Sequence, residues 1–314
     1  MKSSWLILSV VSLSAISLPA APLAQTKPLT GTIGVIGTPS RIGKYQIILT
    51  GASFATRVNS NDMAVAGQGK KFLVLNYTVQ NPGTQELGFD GSLVRFTVVG
   101  ADNANYENVE VALNPEKMSQ VSVQLKPAQK APFVTYVEVP ASDPIPKLIV
   151  LSGNAPVIRF DLKGKVKKFT SMYAAPDGVT ALDTGKAKLK EKVELGFLDF
   201  TVEKVEESAV ALGEVTPDED KKLVVVHVAY TNPGQLAREI NWGNYTLAMK
   251  DANNEPMDFQ NTLFNAVGNT SLNSEIKPGE TVRGRLIFSA AKDAKPDSLT
   301  FTLSEIRSAI VSLK

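Results

Sequence analysis

His227 is the only histidine in the 314-residue chain, so imidazole-dependent acid–base or nucleophilic chemistry has to pass through it. It sits between Val226 and Val228 on the outward register of an apolar run, and nothing in the sequence nominates a serine or aspartate beside it. A surface histidine is the expectation. Asp251, Asn253, Glu255 and Asp258 carry the oxygen-rich spacing of the first half of a calcium loop. Pro256 stands where such a loop wants glycine and Thr262 where it wants a bidentate glutamate, so a hairpin turn is expected and no metal site is assigned. Pro217-Asp218-Glu219-Asp220 reads as a solvated loop. The chain has no cysteine, hence no disulfide, thiolate metal site or lipid-acceptor thiol. It also lacks a phosphate-cradling glycine loop and a nucleophile elbow. The expectation is a non-enzyme without a cofactor.

Two features could bind instead. Lys163, Lys165, Lys167, Lys168, Lys186, Lys188, Lys190 and Lys192 crowd one stretch, where Lys186 to Lys192 alternate with Ala187, Leu189 and Glu191. Their structural reading is an edge strand whose charges block sheet-to-sheet pairing. Their functional reading is a basic strip touching an anionic envelope polymer or a partner protein. Trp242, with Tyr245 and Phe259 near it in sequence, fits either burial in a core or part of an aromatic platform for sugars.

The elements that must position these residues are written twice. Lys70 to Gly83 lies over Lys221 to Gly234 without a gap, an offset of 151; six of the fourteen pairs are identical and five exchange one apolar residue for another. At the same offset Leu125-Lys126-Pro127 falls on Ile276-Lys277-Pro278 and Leu148 on Leu299. Period-2 alternation puts Leu73, Leu75, Tyr77 and Val79 on one face, as it does Val224, Val226, Val228 and Tyr230. Seven short strands are predicted per half, punctuated by Asn81-Pro82-Gly83, Asn232-Pro233-Gly234 and the Lys-Pro corners. That is the pattern of an all-β protein of two tandem β-sandwiches.

A formal charge of +2 gives no dominant basic surface, so nucleic acid is not an expected partner. Residues 1–24 read as a secretory signal peptide: Lys2, the apolar run Trp5 to Leu18, then Ala20, Ala21 and Ala24. The run is shorter than the roughly 20 residues a bilayer needs, so no membrane span is expected after cleavage. Residues 29–162 form the first predicted domain, 163–185 a linker and 186–314 the second domain, in an extracytoplasmic protein, secreted or periplasmic.

A strand entering with two lysines, Asn-Pro-Gly, a hairpin, then Ile276-Lys277-Pro278-Gly279-Glu280 and a strand closing in Leu286-Ile287-Phe288 resembles the telokin-like, immunoglobulin-like domain of unknown function. That family is found in exported bacterial proteins and lipoproteins. The first half departs from it at Ala128-Gln129, where Gly-Glu is usual. The resemblance implies two immunoglobulin-like sandwiches outside the cytoplasm and carries no catalytic residues. Recognition of a protein or cell-envelope component is therefore expected, with a small ligand or cation in the interdomain cleft as the alternative.

Overall fold

A computed structural model describes residues 31–108, 110–240, 243, 245–304 and 306–314. Residues 1–24, predicted as a signal peptide, and Trp242 lie outside the described residues. The chain is all-β. Its first half runs β1 (Gly31–Gly34), β2 (Ser40–Ile42), β3 (Tyr45–Ala55), β4 (Arg57–Val58), β5 (Ala64–Val65), β6 (Lys70–Gln80), β7 (Leu87–Phe89), β8 (Arg95–Val99), β9 (Asn105–Glu107), β10 (Val123–Leu125), β11 (Lys130–Pro140), β12 (Lys147–Leu151) and β13 (Val157–Asp161). The second half runs β14 (Thr184–Lys188), β15 (Lys192–Leu195), β16 (Leu198–Ser208), β17 (Lys221–Thr231), β18 (Arg238–Glu239), β19 (Tyr245–Asp251), β20 (Pro256–Asn265), β21 (Glu275–Ile276), β22 (Thr281–Ala291), β23 (Pro296–Leu303) and β24 (Arg307–Ser312).

In the first half the sheet β11-β6-β3-β2 faces the sheet β1-β13-β12-β8-β9. Tyr77 of β6 meets Phe96 of β8 across the gap, ring centroids 4.8 Å apart. The second half repeats this order, with β22-β17-β16-β15 facing β14-β24-β23-β19, and Phe200 of β16 stacks on Phe301 of β23 at 3.9 Å. The 151-residue offset survives in space: β6 and β17 begin and end that far apart, as do β11 and β22. The edge strands β1 and β14 even pair in the same unusual sense, parallel to β13 and β24.

The inner register is as the alternation predicts, with Leu73, Leu75, Tyr77, Val79, Val224, Val226, Val228 and Tyr230 all in the core. The outer register is less wet than expected. Phe72, Val134, Leu113 and Val58 form a second small cluster on one outer face, and Leu223, Val225, Ile287 and Phe264 form another. β20 has no counterpart in the prediction. It pairs with β19 at its start and with β22 at its end, joining the two layers, and its register slips between Phe259 and Leu263. A strand that changes neighbours this way shows no single period.

The Asn-Pro-Gly turns work differently from their expected chemistry. Neither Gly83 nor Gly234 has positive φ. The fully buried asparagine organises each turn: Asn81 Nδ2 donates to Gln85 O (2.7 Å) and Leu125 O (2.8 Å), and its Oδ1 accepts from Gly83 N (2.9 Å). Asn232 does the same with Leu236 O, Ile276 O and Gly234 N at 2.8, 2.8 and 2.9 Å. Glycine is suited there by close approach, since a Cβ on Gly83 would stand 3.2 Å from Asn81 Oδ1.

Candidate binding cleft

Residues 163–185, separated as a linker by the sequence, pack against both halves. Phe169, Tyr173 and Ala181 are buried in the main core, Lys167 N donates to Ala52 O (2.8 Å), and Ala181 N to Ala141 O (3.0 Å). Three arginines then tie the halves together. Arg57 of β4 reaches Asp199 of β16 at 2.8 Å, with side chains only 11% and 6% exposed, and Arg57 Nη1 also donates to Gly196 O (3.4 Å). Arg307 of β24 donates to the carbonyls of Lys70 and Leu182, lies 3.5 Å from Asp183 Oδ1 and stacks over Tyr173. Asp183 Oδ1 in turn accepts from Gly69 N at 2.8 Å. Arg238 of β18 donates to Asn61 O at 3.3 Å. Buried ion pairs of this kind add little net stability, because desolvation offsets their attraction, but they penalise every arrangement that separates them.

Burial tunes the groups here. It holds the Arg307 guanidinium below its ordinary range, pushes the Tyr173 hydroxyl up, and raises that of Tyr245 to about 12. Lys192 is held above its usual range, first by its bond to Glu194 (2.7 Å) and also by Asp199. Among the described residues, four buried side-chain atoms have no hydrogen-bond partner: Asn59 Oδ1, Tyr173 Oη, Arg238 Nε and Arg307 Nε. All four belong to residues at this junction. A cavity of about 330 Å³ opens near the first of them, lined by Ser53 to Arg57, Asn59, Lys167 to Ser171, and Glu194; Tyr173, Arg238 and Arg307 do not line it.

The structure disperses the eight lysines. Lys167 and Lys168 line the cleft, and Lys192 stands behind it on Asp199 and Glu194. Lys163 and Lys165 close a turn on Asp161, Lys165 Nζ lying 3.4 Å from its carboxylate. Lys186 and Lys188 are exposed on β14, an edge strand of its sheet, with Gly185 and Ala187 turned inward; Lys190 occupies a turn with φ of +70°. His227 Nε2 lies 2.9 Å from Glu206 Oε2, whose carboxyl is held low first by Lys204 and then by His227. Asp251 Oδ1 accepts from Asn253 N and Glu255 N, both at 2.8 Å, as a hairpin turn requires. Among the described residues no group of three or more histidines, cysteines or acids is placed to hold a metal, and no helix is long and apolar enough to cross a membrane.

Sequence reasoning missed Arg57, Asn59, Tyr173, Arg238 and Arg307. A signal existed: Arg238 and Arg307 fall on Leu87 and Pro156 at the repeat offset, and Asp199 on Gln46 by strand register. The signal is not specific to the junction, since Arg283 and Arg285 fall on Pro132 and Val134 at the same offset and pair within the second half.

No curated protein matches the chain. Among solved structures, an uncharacterized β-sandwich protein from Clostridium difficile 630 is 15% identical, covering 44% of this chain and 99% of its own, with a TM-score of 0.35. A secreted protein from Mycobacterium tuberculosis is 12% identical over 40% of this chain and 95% of its own, TM-score 0.33. A putative lipoprotein from Bacillus subtilis is 13% identical over 38% of each chain, TM-score 0.28. Residues 187–309, which run from β14 into β24, match the family model described as a domain of unknown function, DUF4352.

Proposed function

We propose that the protein is exported and non-catalytic, built from two copies of one immunoglobulin-like, telokin-like module that together recognise a protein or cell-envelope component. The leader-like first 24 residues and the repeat offset of 151 support export and duplication. One observation carries the binding reading: the buried Arg57–Asp199 and Arg307 contacts hold the halves at one angle, so their loops and edges act as one surface. A fixed pair of scaffolds favours recognition by preorganisation. The full mature chain, immobilised, should retain a component of cell-envelope material, and replacing Lys163, Lys165, Lys186 and Lys188 by glutamine should weaken that retention. No retention by the wild type overturns the reading, and unchanged retention by the variant removes the lysines from it.

A second reading is favoured by the 330 Å³ cavity itself, whose lining draws on Ser53 to Arg57, Asn59, the 163–185 segment and Glu194: a small ligand held in the cleft at the junction. Its signature is a ligand-dependent rise in melting temperature that disappears when the 163–185 segment is cut.

A further inference from the structure

We propose that the outer face of the first half's β1-β13-β12-β8-β9 sheet binds a single acyl chain ending in a carboxylate, a free fatty acid. The site shares no residue with the junction cleft. Val98, Leu148 and Phe160 turn into the core, so their neighbours along each strand face outward. Register sets these outward side chains in rows: Ile33 beside Arg159, Arg159 beside Ile149, and, two residues along, Lys147 between Asp161 and Val99. A cavity of about 610 Å³ opens over them. The second half builds the same face from β14-β24-β23-β19 and makes it polar. By register Ile33, Ile149 and Val99 correspond to Lys186, Thr300 and Lys250, while Leu151 and Val157 correspond to Thr302 and Ser308. The scaffold therefore does not require an apolar face, yet Ile33 presents its side chain at 81% exposure.

Charge decides the head of the occupant. Among the described residues Arg159 has no hydrogen-bond or ion-pair partner; its stem runs between Ile33 and Ile149, and Nη1 lies against Gly31, where no side chain would fit. The stem adds to the apolar floor while the guanidinium keeps donors for a carboxylate. Lys147 reaches only Asn103 Oδ1, at 3.1 Å. Asp161, the carboxylate of this cavity, is already held by Lys165 at 3.4 Å and by Lys163 N at 3.0 Å. The free charge on the face is thus positive. Size and backbone chemistry decide the rest. From Ile33 to Val99 is three strand spacings, and from the Leu151 row to the Lys147 row is four residues, so the patch measures on the order of 14 Å by 13 Å, or about 200 Å². A stable protein interface needs about 800 Å² per partner, and a second copy would bring cations to cations. A peptide laid across a sheet face would bury its own N–H and C=O groups unpaired, because the amides beneath are used in the ladder. An acyl chain has no such groups, and its carboxylate answers Arg159.

The test is calorimetric titration of the full mature chain, freed of lipid, with decanoate below its micelle concentration, decanol, acetate and vesicles of phosphatidylglycerol. Decanoate should bind at a single site per chain, with decanol weaker by about tenfold or more and acetate without measurable heat. Arg159→Gln should weaken decanoate by about tenfold and leave decanol unchanged. Ile33→Thr combined with Ile149→Thr gives the face the polar character of its counterpart in the second half. That variant should keep its unliganded melting temperature nearly unchanged and weaken both decanoate and decanol by about tenfold. No binding of decanoate, equal binding of acid and alcohol, binding indifferent to either variant, or two equivalent sites per chain each overturn the proposal. Capture by vesicles without binding of free decanoate overturns it in favour of a membrane surface. A dimer in sedimentation that the double isoleucine variant dissociates overturns it in favour of a second copy of the chain.

Discussion

The two halves treat the same buried lysine in opposite ways. Lys71 and Lys222 occupy equivalent positions at the start of β6 and β17. Their cross-strand neighbours differ: by register, Phe54 on β3 corresponds to Glu207 on β16. Lys222 therefore has a carboxylate, Glu207 Oε2 at 2.8 Å, and keeps one side of its pair in water. Lys71 has none within ion-pair distance among the described residues. It is fully buried, its Nζ lies 3.8 Å from the centre of the Phe54 ring and donates to Val179 O at 2.5 Å. Val179 belongs to the connecting segment, so one copy satisfies its lysine within the sheet and the other uses it to hold that segment down.

The largest effect should come from the junction itself. Arg57→Ala leaves Asp199 buried without its principal partner, a loss of about 3–5 kcal/mol, moderated by Lys192 at 3.4 Å. Asp199→Ala added to it should recover part of that loss, and urea denaturation of the single and double variants measures the coupling. Next comes Lys71. Burial lowers its ammonium from the ordinary 10.5 to about 8, with Asp143 and Asp177 opposing the shift. Between those values the unfolded chain binds the proton and the folded chain does not, so stability rises with pH from about 8 to about 10.5. The rise should be on the order of 3 kcal/mol. Below pH 8 the lysine is charged in both states and the slope vanishes. Buried tyrosines with raised hydroxyls work in the opposite sense above about pH 10, so the quantity to read is the difference between wild type and Lys71→Met. A flat difference across that window sinks the assignment.

Asn81→Ala and Asn232→Ala probe what the copies share. Each deletes three hydrogen bonds from an inaccessible asparagine and should cost about 2–3 kcal/mol. A large inequality between the two losses would show that the halves have drifted in the turn as well as at the junction.

Much of this scaffold was legible because period-2 alternation and a gapless repeat are local signals: β6 and β17 could be placed, and their inner faces assigned, residue by residue. β20 was not, since its neighbours change midway and its burial follows no single period. The cleft was legible only by halves. Lys167 and Lys168 stood out as charges in a run, whereas Arg57 and Asn59 are far in sequence from Glu194 and meet it only through the packing of the two halves. Asn81 and Asn232 were visible as turn residues, but their burial depends on carbonyls supplied 44 residues downstream.

The smallest expected effect concerns the third shared corner, where the first half departs from the family pattern. Gly279 has φ of +74° and its counterpart Ala128 has +64°, so the two corners share one left-handed backbone conformation. The next residues also match in function: Glu280 Oε2 accepts from Lys277 N at 3.0 Å and Gln129 Oε1 from Lys126 N at 2.9 Å. The corner therefore tolerates either side chain at its second position, and only the Cβ of Ala128 is out of place. A left-handed conformation costs an alanine about 1–2 kcal/mol, and a glycine loses about 0.5–1 kcal/mol more entropy on folding. Ala128→Gly should thus stabilise the protein by up to about 1 kcal/mol, and Gly279→Ala, which meets no atom within 4 Å, should destabilise it by a similar amount. The two changes are far apart in the chain and share no contact, so their effects on the denaturation midpoint should cancel in the double variant. If Ala128→Gly destabilises instead, the first corner has repacked around its methyl group and the two copies are no longer equivalent there.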